Sequence, residues 1–182
     1  MRKLFFCFLV VFIFNTVLFA GPWKSYSAFQ EYLSLKNKAK QADAEGNTFN
    51  AVFNFLKAAE IAAKSADVNV QAWQLNNAAY SLIVQFKKLV NYDEKLQKLV
   101  ELGPGKEKIA YQKELAEMLN LQLPLLEEAQ SILEKTAGLG EELEAKEKIQ
   151  SNLDFITWVK EFIGTNLSET KETKEVNKEE SK

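Results

Sequence analysis

Between Thr48 and Ala66 the chain has almost no polar face. Phe49, Ala51, Val52, Phe53, Phe55, Leu56, Ala58, Ala59, Ile61, Ala62 and Ala63 crowd one uninterrupted stretch without Gly or Pro. The run is too long for an ordinary strand and reads as a helix. A helix that is apolar nearly all round must be covered on several sides. The stretch is therefore predicted to be the central helix of an all-α fold. Its alanines let neighbouring helices approach closely, and Phe53 and Phe55 are expected to fill the space between them.

The flanking residues punctuate a series of helices. Ser27 with Gln30 three residues on has the pattern of a capping box, and Phe29, Tyr32, Leu33, Leu35, Ala39 and Ala42 follow as an apolar stripe. Trp23 and Tyr26, just before it, are expected to close the end of a core. Gly46 ends this helix, because glycine takes the left-handed C-terminal position without steric cost. Asn47 or Thr48 caps the central helix. Asp67 caps a third helix over about 68–90, striped by Val70, Trp73, Tyr80, Ile83 and Phe86. Asn91 and Glu94 have capping-box spacing before a short fourth helix carrying Leu96, Leu99 and Val100. Gly103-Pro104-Gly105 is a turn that no helix passes through. A long helical pattern from Lys106 is kinked or divided at Pro124, which lacks a backbone donor and clashes one turn back. After a loop over 136–140, a last helix is predicted over about 141–163, stopped by Gly164.

Both termini differ from this middle. Arg2 and Lys3 precede an apolar run from Leu4 to Phe14, with Ala20 at the expected cut, which is the layout of a secretory signal peptide over residues 1–20. Leu18 departs from the small-x-small rule at that cut. An uncleaved leader would instead hold the chain beside a membrane, although Asn15 and Thr16 interrupt an already short apolar span. Export places the mature chain in a periplasm or outside the cell; the leader has a bacterial look. Residues 165–182 are nearly all Lys, Glu, Thr, Ser and Asn and are predicted to be a disordered charged tail. The middle, residues 21–164, is long enough for one helical domain, completed by a C-terminal helical hairpin.

Composition removes several function classes. The chain has no His, and its single Cys is Cys7, inside the leader. The mature protein therefore lacks the ligands that dominate zinc and copper sites, and the usual general base of nucleophilic catalysis. A formal charge of −2 with no basic block argues against nucleic acid as a partner. Carboxylate pairs such as Glu127-Glu128, Glu141-Glu142 and Glu144-Glu147 sit among lysines and read as solvated helix faces rather than a converging catalytic pair. Phosphate loops, dinucleotide fingerprints and calcium loops are missing from the sequence. No catalytic, metal-binding or cofactor-binding residue is assigned, and the chain is expected not to be an enzyme.

Gly46, Ala51, Phe55 and Ala58, with Leu35 and Ala39 on the preceding helix, resemble the tetratricopeptide repeat, a helix-turn-helix unit of about 34 residues. Trp73-x2-Asn76-Asn77-x2-Tyr80 is similar at its ends to the same family's Trp and Tyr, with Asn76 and Asn77 in place of Leu and Gly, and it comes four residues late for a regular repeat. The resemblance covers 35–102, as one fair and one degenerate repeat. It implies antiparallel hairpins stacked in the tetratricopeptide manner. It also implies a partner-binding face on the first helix of each repeat, carried here by Lys36, Lys40, Asp43, Gln71, Gln74 and Ser81. In that family such faces often bind peptide segments, and Lys36 and Lys40 could meet a carboxylate. The function expected is an exported, non-enzymatic adapter or scaffold acting through a protein partner. The alternative is a carrier of an apolar small molecule or lipid between Phe- and Leu-rich helices.

Overall fold

The computed structural model describes residues 23–140 and 142–179, with side chains as far as Ser168. The leader expected over 1–20, with Cys7, lies outside the described residues. The fold is all-α. Seven helices follow one another: α1 (Tyr26–Ala44), α2 (Thr48–Ser65), α3 (Val68–Leu89), α4 (Tyr92–Glu101), α5 (Lys106–Leu121), α6 (Leu123–Ala137) and α7 (Lys146–Glu179). No strand occurs among the described residues, and no described helix is long and apolar enough to cross a membrane.

Most boundaries follow local chemistry. Gly46 takes φ 75° just past the end of α1, and the side chain of Asn47 accepts from the Asn50 N–H at the start of α2. The Asp67 carboxylate accepts from the Val70 N–H at 3.0 Å. Pro124 divides α5 from α6, sitting in the first turn of α6, where its missing N–H goes unnoticed. Three starts differ from expectation. The cap of α1 is Ser25, whose Oγ accepts from Ala28 N–H at 3.2 Å, not Ser27. Asn91 makes no side-chain cap; it sits in the left-handed region at φ 50°, which Asn tolerates better than most residues. The last helix begins at Lys146 rather than 141.

That last helix also passes straight through Gly164 and continues to Glu179. Nothing lies within 4 Å of the Cβ position at Gly164. A helical Gly costs only about 1 kcal/mol relative to Ala, and the Lys- and Glu-rich sequence beyond it has good helix propensity.

The described chain groups into two compact units: residues up to 78 with 142–145, and 79–141 with 146 onward. In the first unit, α1 and α2 form an antiparallel hairpin joined through alanines. Ala39, Ala51, Ala58 and Ala62 are each 0% exposed, so the two backbones come together without intervening bulk. Phe55 fills the adjoining space and is buried. The segment 142–145 completes this unit: Leu143 and Ala145 are buried, Glu144 N–H donates to Asn69 Oδ1 at 3.0 Å, and Trp73 Nε1 donates to Glu144 Oε2 at 3.4 Å. In the second unit, α5 and α6 pack on α7 around Leu115, Leu119, Leu126, Leu133, Ile156 and Val159. Lys160 Nζ of α7 donates to Gln130 Oε1 of α6 at 2.6 Å.

The central-helix expectation for α2 needs correcting. Its buried residues (Thr48, Ala51, Asn54, Phe55, Ala58, Ala59, Ala62) form one broad face. On the opposite side Phe49 is 72% exposed and Phe53 57% exposed, so Phe53 does not fill a gap in the core. The helix buried along two faces is α3. Ala72, Asn76, Ala79, Ile83 and Phe86 form one buried row, and Gln74, Ala78 and Ser81 form another on the far side.

Candidate functional site

The six residues of the expected partner-binding face separate into two groups. Lys40 and Asp43 are exposed on α1, and Lys36 and Gln71 are half-buried. Gln74 and Ser81 are buried, at 3% and 2% exposure, and so are not part of a solvent-facing surface. They lie on the second buried row of α3. Ser81 also belongs to the second unit, whereas the other five belong to the first.

Tyr32 ties two of the six together. Gln74 Nε2 donates to Tyr32 Oη at 3.0 Å, and Lys36 Nζ lies 5.6 Å from the centroid of the Tyr32 ring. Trp23 packs on the same ring at 4.6 Å between centroids and on Phe29 at 5.6 Å. Burial raises the Tyr32 phenol above its usual pKa, and the hydrogen bond from Gln74 partly opposes that shift. Gln74 Oε1 is buried with no hydrogen-bond partner in the structure. Asn76 is buried and Asn77 half-buried, which makes this pair part of the helix packing rather than a displayed pair of amides.

The second unit carries a groove that the sequence reading did not single out. Tyr80, Val84, Lys87, Lys88, Asn91, Tyr92, Asp93 and Glu94 enclose about 540 Å³ along the end of α3 and the start of α4. Tyr80 and Val84 are spaced four apart on one face of α3 and are 52% and 43% exposed. Tyr80 was expected in the core stripe of its helix. Ile83 and Phe86 of that stripe are buried as expected, whereas Tyr80 lies off the buried row. Asn91 in the left-handed region makes the sharp change of direction between the helices, which brings Asp93 and Glu94 into the groove near Lys87 and Lys88.

Two of the groove's residues, Lys87 and Tyr92, also belong to an aromatic cluster. Lys87 Nζ sits 4.4 Å from the Phe155 ring centroid and 5.3 Å from that of Tyr92. Tyr92 meets Phe155 edge-on at 5.4 Å and Trp158 at 6.1 Å, and Trp158 stacks on Phe162 at 5.4 Å. Such edge and stacked pairs each add roughly 0.5–1.5 kcal/mol beyond simple burial. Burial, and secondarily the adjacent Asp93 carboxylate, push the Tyr92 phenol up to about 12. At neutral pH Tyr92 is a neutral phenol in an aromatic cluster and cannot serve as a base. Tyr111, which donates to the Lys95 carbonyl at 3.3 Å, is likewise held neutral by burial and by Glu114 and Glu94.

A smaller groove of about 380 Å³ lies on the first unit, lined by Lys38, Gln41, Ala42, Glu45, Asn50, Phe53 and Asn54. No group of His, Cys, Asp and Glu among the described residues has the arrangement of a metal site. No family model, curated protein or solved structure matches the chain.

Proposed function

We propose that the protein is an exported, non-enzymatic helical adapter with tetratricopeptide-like packing over 35–102, and that it acts by holding a protein partner. The observation that carries this reading is the α3–α4 groove. It presents two exposed apolar side chains, Tyr80 and Val84, flanked by cations at Lys87 and Lys88 and anions at Asp93 and Glu94. An apolar centre with a charged rim is the arrangement of a docking surface for a polypeptide. Solvent-reachable Lys36, Lys40, Asp43 and Gln71 on the first unit offer a second contact surface of mixed charge.

The carrier reading has less behind it. Pockets for apolar ligands are concave and line most of the ligand with apolar side chains. The two grooves described above are open, and charged or amide side chains make up much of their walls. Native mass spectrometry of the purified protein decides this alternative: a retained lipid mass would support it.

The adapter reading is tested by crosslinking mass spectrometry in the native cell, comparing the unaltered chain with Tyr80→Asp plus Val84→Asp. Both positions are largely exposed, so the variant keeps its helical circular dichroism. The expected result is one reproducible partner crosslinked through α3 and α4 and lost in the variant. A partner that stays bound in the variant refutes the groove as the docking site.

A further inference from the structure

Residues 142–145 sit in the first unit, although α6 before them and α7 after them belong to the second. They are held there as a receptor holds a short peptide. Every second side chain is inside: Leu143 is 7% exposed and Ala145 0%, whereas Glu142 and Glu144 are exposed. Two side chains one turn apart on α3 contact the segment. Asn69 Oδ1 accepts from the Glu144 N–H at 3.0 Å, and Trp73 Nε1 donates to Glu144 Oε2 at 3.4 Å. The amide thus reads backbone and the indole reads the acid. The buried positions on either side read a branched apolar side chain and a small one. We propose that the start of α3 is a docking site for a short Leu-acid-small segment, that residues 142–145 fill it in cis, and that a partner segment of the same chemistry takes it when they leave.

The contact has the features of one that opens. Both hydrogen bonds are exposed, so water replaces them at little cost when the segment lifts. Leu143 is the one large apolar side chain that the segment inserts. The segment lies between helices, and Gly138 and Gly140 precede it; nothing lies within 4 Å of the Cβ position at Gly140. Pieces with few buried contacts open locally, without unfolding the rest. Specificity follows from the same contacts. Asn69 needs a backbone N–H to accept from, so proline is refused at the acidic position. A negative charge suits the start of a helix, where the backbone dipole is positive. Ala145 is fully covered, so a bulkier residue does not fit there. Tethering gives 142–145 an effective concentration on the order of mM, which a partner must exceed by affinity or local abundance. The site is separate from the α3–α4 groove, whose residues lie in the second unit.

Hydrogen exchange of the unaltered chain, read at the Glu144 amide, tests this. The probe is a synthetic peptide with blocked ends and the sequence of residues 142–147, added to about 10 mM, above the effective concentration of the tethered segment. The expected result is exchange at Glu144 faster by about tenfold or more, with the amides of α1 and α2 unchanged. A scrambled peptide has no effect. Fluorescence anisotropy of the labelled peptide gives a second reading. It binds Leu143→Asp plus Ala145→Asp, in which the site is vacated, at least about tenfold more tightly than the unaltered chain. Adding Asn69→Ala to that variant weakens binding by about fivefold, the share of one hydrogen bond. Tyr80→Asp plus Val84→Asp changes neither reading, so this site and the α3–α4 groove stand or fall separately. Exchange at Glu144 that the peptide leaves unchanged overturns the proposal, and so does equal binding to the vacated and unaltered chains. If the vacated variant loses its helical circular dichroism, the exchange result on the unaltered chain decides.

Discussion

Three phenylalanines within seven residues of α2 look alike in the sequence and should behave very differently when removed. Phe55 is 4% exposed, Phe53 57% and Phe49 72%. An aromatic side chain that is fully covered withdraws roughly 150–250 Å² from water. At about 25 cal/mol/Å² that corresponds to ~4–6 kcal/mol, an upper figure because the unfolded chain is itself partly compact. With the share that Ala retains and the cavity left behind, Phe55→Ala should destabilise by about 3–5 kcal/mol. Phe49 has little more than a quarter of its surface covered, so Phe49→Ala should cost about 1 kcal/mol or less. Phe53→Ala falls between them and also removes the contact with Lys57, whose Nζ is 5.9 Å from the ring centroid. Urea unfolding is followed by fluorescence in a Trp158→Phe background, so that Trp23 and Trp73 report on the first unit alone. With a slope of about 1–3 kcal/mol/M, Phe55→Ala lowers the midpoint by more than ~1 M and Phe49→Ala by a few tenths. Equal losses at Phe49 and Phe55 would refute the assignment of two unlike faces to α2.

Other consequences are more local. Tyr32→Phe strands Gln74 with its amide unpaired in the core and should cost about 1–3 kcal/mol, while Tyr32→Phe with Gln74→Leu should recover most of that loss in the same urea assay. Asp67→Ala removes a real cap and should lower stability by about 1 kcal/mol. Asn91→Gly removes no cap bond and relieves a left-handed backbone, so it should be neutral or stabilising by up to about 1 kcal/mol. The Tyr92 phenol should titrate near 12 by ultraviolet difference spectroscopy and move down in Asp93→Asn. Because the folded value lies above the ordinary 10.0, its contribution to stability is intact below about pH 10 and is lost as pH rises towards 12.

The helices and most of their ends could be read from the chain because they depend on neighbours in sequence. Gly46, Asn47, Asp67, Gly103-Pro104-Gly105 and Pro124 each act within one turn, and each ends or starts a helix where their chemistry says. Asn91 failed as a cap because its backbone, not its side chain, is used: the same residue type serves both roles. Gly164 failed as a stop because the penalty for a helical glycine is small and nothing crowds its Cβ position. Which side of a helix is covered depends on distant parts of the chain. The apolar row on the outside of α2 and the polar residues on the inside of α3 both run against the rule that apolar composition means burial.

The candidate site suffered most from that gap, and α3 shows why. The helix buries two opposite rows, so a single stripe through Val70, Trp73, Tyr80, Ile83 and Phe86 misplaces any residue that belongs to the other row. Ala78 between Gln74 and Ser81 was the available signal: three small or amide residues at near-helical spacing mark a close approach as readily as a solvent face. Once Gln74 is inside, its role changes from partner contact to positioning. Its bond to Tyr32 fixes the start of α3 against α1, and the same Tyr32 ring lies under the Lys36 ammonium. A buried amide–phenol pair favours one geometry over its near neighbours, because any slip leaves two polar groups unpaired in the core. Lys36 is therefore the one member of the expected face whose cation is held in place from below. Lys40 and Asp43, exposed beside it, have no such support. Of the residues expected on that face, Lys36 is thus the one whose position is set by a core contact.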